Sequence, residues 1–274
     1  MICLESEVKK QKGYRLYKGS WIFEHDPHIE KRLCEDDIKS LFLQGGVMVR
    51  NAYDFDCGKK SSFYYVVKDS FGGMEELSTK MRNQVKKCFK NMRVAQISGE
   101  ELKEKGYSVF LEASNNYRIK ATPPSQKQFK ARIDHAVENE YWGCYDIESD
   151  RLVAFSMNAV TKESCEYRTM KAIPAFQKLY AYYGLIYEMN RYYLEEKKLK
   201  YVNDGGRSIT NHSNVQSFLI EKFNFRKAYC QLRIAYKPWF GVVIKVLFPF
   251  RKFIKHPKAS AILRQEAWAR GLEE

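Results

Sequence analysis

The side chains best suited to chemistry crowd into one short stretch, residues 203–214, which reads NDGGRSITNHSN. It holds Asp204, Arg207, His212, Ser213 and Asn214. An imidazole with an unperturbed pKa of ~6.5 can take up or release a proton near neutrality, which makes His212 a candidate for proton transfer, with Asn214 beside it. Arg207 follows Gly205 and Gly206, and a backbone without Cβ lets an anion approach a guanidinium closely. The same residue types also cap helices, since Asn211 or Ser213 can accept from the unpaired amides of a following helix, and the sequence leaves both readings open. A second cluster of ligand-type residues, His25 and His28 around Asp26-Pro27, has no further His, Cys or carboxylate group to complete a metal set. A surface turn is expected there, and no metal.

The elements around this stretch can be read from their periodicity. Tyr201 and Val202 form a short strand ending in the Asp-Gly-Gly turn; Val215, Phe218, Leu219 and Phe223 share one face of a helix. From Lys227 to Tyr236, Ala228, Cys230, Leu232, Ile234 and Tyr236 alternate with Tyr229, Gln231, Arg233 and Ala235, as in a strand buried mainly on one side. Upstream, residues 14–23 read as extended, 36–43 as a short helix, and 47–53 with 62–68 as a hairpin around Asp54, Asp56 and Gly58. Residues 74–92 are helical, with Leu77, Met81, Val85, Cys88, Phe89 and Met92 on one face. Arg82, Lys86 and Lys90 form a basic stripe on the other, beside Lys80, Lys87 and Arg93, so this face could receive phosphates or simply be solvated. A strand (94–97), helices at 100–111 and 125–139, strands at 141–145, 152–160 and 165–172, and a helix at 183–197 complete the pattern.

In 274 residues the chain carries 47 Lys and Arg against 33 Asp and Glu, a net charge of +14, which suits a polyanionic partner or plain solubility. Seven scattered cysteines without a C-x-x-C pair indicate reduced thiols, and residues 1–12 lack an apolar core, so a cytoplasmic location is expected. Residues 239–258 are apolar with interspersed Lys and Arg. They are too interrupted to span a bilayer, and either pack on the domain or make a peripheral membrane contact.

The order strand, helix, Glu221-Lys222-Phe223-Asn224-Phe225, strand resembles the C-terminal half of the GNAT acyltransferase superfamily, in which "Glu-Lys-x-Gly-Phe" is common at this place. Asn224 stands for the usual Gly and can adopt the same left-handed conformation. Leu77 to Lys87, reading LSTKMRNQVKK, with the strand and helix after it, resembles the start of a FemAB-type domain. The resemblance implies an α+β fold, a mixed and mostly antiparallel sheet flanked by helices. It also implies a division into an N-terminal β-rich extension (1–73), an acyltransferase domain (74–236) and a basic, apolar helical tail (237–274).

For the superfamily, acetyl-CoA or another acyl-CoA would bind at the start of the helix near residue 183, involving Gln177, Tyr182, Tyr183 and Gly184, with Arg207 as a further anion contact. Tyr180 and Tyr182 occupy the two glycine positions of the usual signature. Glu166, on the preceding strand, would serve as base. Ile220 stands where many members carry the Tyr that protonates the leaving thiolate. The implied reaction is direct transfer of an acyl group to an amine acceptor, such as an amino sugar or a cell-envelope glycan precursor. FemAB-type enzymes instead take an aminoacyl group from tRNA and generally have two acyltransferase units, whereas one is visible here. A third reading is a degenerate member that only binds a partner.

Overall fold

The computed structural model describes residues 10–114, 123–135, 139–209 and 214–273. Three short antiparallel strands, β1 (Lys10–Gln11), β2 (Tyr14–Tyr17) and β3 (Ser20–Phe23), open the chain, and α1 (Glu35–Leu43) carries it to β4 (Met48–Tyr53), which runs parallel to β3. Then come β5 (Phe63–Lys68), α2 (Thr79–Asn91), β6 (Met92–Ile97), α3 (Gly99–Ser114) and α4 (Gln126–Asp134). The antiparallel strands β7 (Asn139–Asp146), β8 (Leu152–Val160) and β9 (Ser164–Ala172) are followed by α5 (Pro174–Gln177) and α6 (Ala181–Arg191), which a π turn extends through Tyr192–Glu196. β10 (Tyr201–Gly206), α7 (Val215–Phe223), β11 (Arg226–Tyr236), α8 (Pro238–Leu247) and α9 (Pro257–Ala269) close the chain.

Local chemistry accounts for most boundaries. Ser78 caps α2 by accepting from the Met81 amide, and Ser125 with Gln128 forms a reciprocal capping box on α4. Asn224 ends α7 at φ +56°, the left-handed turn expected of it. The helix anticipated to residue 139 stops at Asp134, because Asn139 already pairs with Ala159 in the sheet.

All strands join one mixed, mostly antiparallel sheet in the order β1-β2-β3-β4-β11-β5-β10-β9-β8-β7-β6. The hairpin expected between 47–53 and 62–68 does not form. β11 is long enough to reach both strands, pairing Gln231–Tyr236 with β4 and Arg226–Cys230 with β5, and so it lies between them. Strands β4 and β5, from the segment assigned to the N-terminal extension, thus lie inside the sheet.

The topology contains an internal repeat. Three antiparallel strands, a helical crossover, a parallel strand and a last strand occur first as β1-β2-β3-α1-β4-β5 and again as β7-β8-β9-α6-β10-β11. The last strands have changed places: β5 lies beside β10, and β11 beside β4. A second, reduced unit is therefore present, built from strands too short to show a clear sequence signature.

Helices cover both faces. Phe155 and Ser156, adjacent in β8, point to opposite sides. Phe155 meets Phe129 of α4, while Ser156 bonds Asn158, which reaches Met189 and Tyr193 of the α6 segment. α2, α6 and α7 share a core with Val66 and Val202; α9 packs Trp268 against Phe63 on the reverse face of β5. The Tyr193 hydroxyl accepts from the Trp142 indole (2.9 Å) and lies 3.2 Å from the Asn158 amide nitrogen, fixing α6 to β7 and β8. Lys68, fully buried, pairs with Glu76 at 2.9 Å.

Candidate active site

β9 and β10 are paired over three positions, Ser164 with Tyr201, Cys165 with Val202 and Glu166 with Asn203, and then diverge. Both strands leave the pair with an extra residue. β9 carries one between Tyr167 and Thr169 against β8, and β10 carries one between Asn203 and Gly206 against β5. Such bulges turn backbone groups out of the ladder and are frequent beside active sites. The result is a mouth in the sheet beyond Glu166 and Asn203, where the two parallel strands part while β9 continues along β8 to Ala172.

Polar groups converge there. Glu166 accepts from Arg168 Nε at 2.9 Å, and its Oε1 would lie 3.4 Å from a Cβ placed on Gly205, so the carboxylate overlies the β10 backbone. Asn203, buried, donates to the Cys165 carbonyl (3.2 Å) and accepts from the Gly205 amide (3.0 Å), which holds Gly205 at φ +76°. From α7, Gln216 donates to the Gly206 carbonyl at 3.0 Å and accepts from the Ser208 amide at 3.0 Å, clamping the strand end. Asp204, half-buried between these groups, has its carboxyl pKa pushed up to about 7. Burial is the main cause; the negative charge of Glu166 acts in the same direction, and the Gln216 side chain opposes it.

Of the residues singled out in the sequence, Glu166 stands in this mouth. His212 lies outside the described residues. Asn214 occupies the N-cap position of α7 without a side-chain capping bond and is exposed; its carbonyl accepts from the Phe218 amide. Arg207 is engaged in packing: its Nη1 donates to the Ser62 carbonyl at 2.5 Å and its guanidinium stacks 4.5 Å from the Trp268 ring. Gln177 is exposed at the end of α5. Tyr183 stacks edge-on against Tyr180 and Phe218, each at 5.1 Å, and Tyr182 packs partly buried against the core. Gly184 is buried where α6 meets α2. A Cβ there would stand 2.3 Å from Cys88 Sγ, so this glycine serves helix contact.

Two features take their character from the fold and not from local sequence. Asp204 reads as a turn residue, and only the parallel neighbour β9 and the clamp from α7 make its carboxyl unusual. Arg50, on β4, has its guanidinium pKa lowered by burial, with a single hydrogen bond, 2.9 Å to Gln265 Oε1, among the described residues. Tyr65 lies within electrostatic reach of both Arg50 and Glu166.

The surroundings of the two units differ in charge. The first turn of α1 carries Glu35, Asp36 and Asp37, which satisfy its positive end. The first turn of α6 carries no acid, and the Lys87 ammonium from α2 lies 5.3 Å from the ring centre of Tyr180 at its start. Lys80, Lys86 and Lys90 of α2 are exposed without ion-pair partners among the described residues, while Arg82 contacts Glu75 and Arg93 contacts Asp150. Among the described residues no group of three His, Cys, Asp or Glu is placed to hold a metal ion.

No protein-family model matches the chain, and no curated protein does. Solved structures do. FemX superposes with a TM-score of 0.56 at 10% identity, covering 90% of this chain and 85% of FemX. The C-terminal domain of a putative lysylphosphatidylglycerol synthetase from Agrobacterium fabrum gives a TM-score of 0.51 at 10% identity, covering 85% of this chain and 82% of that one. A tandem GNAT protein from the clavulanic acid pathway gives 0.44 at 8% identity, covering 81% and 77%. The chain shares its fold with FemX and with the synthetase domain.

Proposed function

We propose that the chain is an N-acyltransferase whose reaction centre is the mouth between β9 and β10, with Asp204 as the base. The observation that carries this reading is the half-buried carboxyl of Asp204, its pKa pushed up to about 7, placed where the parallel strands β9 and β10 part. A base with a pKa near ambient pH is suited to relieve an amine acceptor of its proton. In the proposed sequence the acceptor ammonium gives a proton to the Asp204 carboxylate, the freed amine attacks the donor carbonyl directly, and amide amides of the bulged strands stabilise the oxyanion. Collapse of the tetrahedral species breaks the bond to the leaving oxygen, which takes the proton back from Asp204, while the attacking nitrogen gives up its second proton to solvent as the neutral amide forms. Glu166, held by Arg168, orients the acceptor.

For the donor, we favour an aminoacyl group carried on tRNA, as the FemAB resemblance implies, over acyl-CoA. Two observations support this choice. The glycine positions of the acyl-CoA signature hold Tyr180 and Tyr182, and the remaining glycine, Gly184, is occupied by its contact with Cys88. Meanwhile Lys80, Lys86, Lys87 and Lys90 give α2 an exposed basic face that continues to the start of α6. The acceptor is an amine, either a small molecule or a glycan precursor, and the reaction is cytoplasmic.

The test measures binding of a charged tRNA and of acetyl-CoA to the same preparation across a salt series. The reading expects tRNA binding that weakens with salt, with a slope reduced by about 1 to 2 on changing Lys86 and Lys90 to Glu. Tight acetyl-CoA binding with no tRNA binding would move the donor to acyl-CoA.

A further inference from the structure

Helix α8 breaks the rule that a surface helix is apolar on one side only. Its inner side is seated: Ile244 and Phe248 are buried, with Phe240 and Leu247 packed beside them against Leu263 and Ala267 of α9. Its outer side is apolar as well. Trp239, Val242 and Val246 are 60%, 63% and 60% exposed, and with Val243 they fall within about 100° of arc at 3.6 residues per turn. Phe250 and Phe253, the latter 81% exposed, continue this surface past the end of the helix. Six of the large apolar side chains that the described residues expose thus belong to one fifteen-residue segment, 239–253.

The charge around that surface has a single sign. From residue 237 to residue 265 the chain has no Asp or Glu. Lys245, Lys252, Lys255 and Lys258 are exposed, and none is in an ion pair among the described residues. The segment is held firmly beneath, because Tyr236 donates to Glu266 of α9 at 2.8 Å and α9 packs on β11. Among the described residues no helix is long and apolar enough to cross a membrane.

We propose that the outer face of α8, with Phe250 and Phe253, docks on an anionic lipid bilayer. The apolar side chains enter the interface, and the lysines meet acidic headgroups. Charge complementarity selects this occupant. A second copy of the chain would bring the same lysines face to face and repel, while a bilayer of negative headgroups satisfies both the apolar strip and its basic border. Docking of this kind places the enzyme where lipid-linked amines are concentrated, but it stands apart from the transferase reading and its test needs no activity.

The experiment is cosedimentation of the full chain with vesicles of phosphatidylcholine alone and of phosphatidylcholine with phosphatidylglycerol, at low and high salt, while Trp239 is changed to Phe to identify its fluorescence. Binding is expected with the anionic vesicles only, with a blue shift in emission that is absent in Trp239→Phe. A triple variant with Val242, Val246 and Phe253 changed to Ser should lose more than ten-fold in binding. Each of Lys245→Glu and Lys252→Glu should lose about five-fold or more. These positions are exposed, so circular dichroism should report an unchanged fold. Absence of binding to anionic vesicles at millimolar lipid overturns the proposal, as does a stable dimer in solution that the triple variant dissociates.

Discussion

If Asp204 is the base, as proposed, its carboxyl links catalysis to stability in a way that one substitution can expose. Its pKa rises from an ordinary 3.8 to about 7 in the folded chain, chiefly through burial. The folded state therefore holds the proton more tightly than the unfolded one, and folding loses stability as pH rises from about 4 to about 7, after which the loss is constant. From pH 5 to pH 7 this covers about two pKa units, or about 3 kcal/mol. Asp204→Asn keeps the shape and removes the titration. In urea denaturation at pH 5 and pH 8, the variant should gain about 3 kcal/mol on the wild type between the two conditions, and it should lose transfer activity at both. In the wild type, activity should rise with pH through about 7, because the ionised form is the base. A stability difference between the two proteins that stays constant from pH 5 to pH 8 would refute the assignment of a buried, titrating carboxyl at the mouth.

Other consequences concern the frame that holds this mouth. Gly184→Ala drives a methyl into Cys88 Sγ and should cost about 1 to 3 kcal/mol by denaturation, with part recovered when Cys88→Ala is added; strictly additive effects would mean the two do not touch. Glu76→Gln leaves the buried Lys68 ammonium without its carboxylate and should cost about 3 to 5 kcal/mol, read as a lower urea midpoint at unchanged slope. Gln216→Ala releases the β10 end from α7, and hydrogen exchange at Ser208 should quicken while the amides of β8 stay protected. Asn224→Gly keeps the left-handed turn but deletes the bond that Asn224 Nδ2 donates to the Glu76 carbonyl (2.9 Å), and should cost about 0.5 to 1.5 kcal/mol in the same denaturation assay.

Much of the second unit was legible in the sequence because β8, β9 and β11 run for nine residues or more, and they stand close to where they were placed, as does α2 with its clear apolar face. In the first unit the segments were legible, with α1, β4 and β5 close to where they were placed, but their pairing was not, because strand exchange is a long-range event that no local turn announces. The misread hairpin shows this: Asp54 to Lys59 is good turn chemistry, yet β11 pairs with both β4 and β5 and lies between them. At the site, Glu166 could be placed from element order. Asp204 could not, since its protonation depends on burial by groups from β9 and α7. For Gly184 the sequence suits a phosphate and a tight helix crossing equally well, and the distance to Cys88 adds the crossing.

The measurement closest to the central claim is a transfer assay at pH 8 with radiolabelled aminoacyl-tRNA and a panel of amine acceptors, run in parallel on the wild type and Asp204→Asn. The account predicts label passing to an amine in the wild type and at least a hundred-fold less in the variant, about what a lost general base costs. Equal transfer by the two proteins would contradict it.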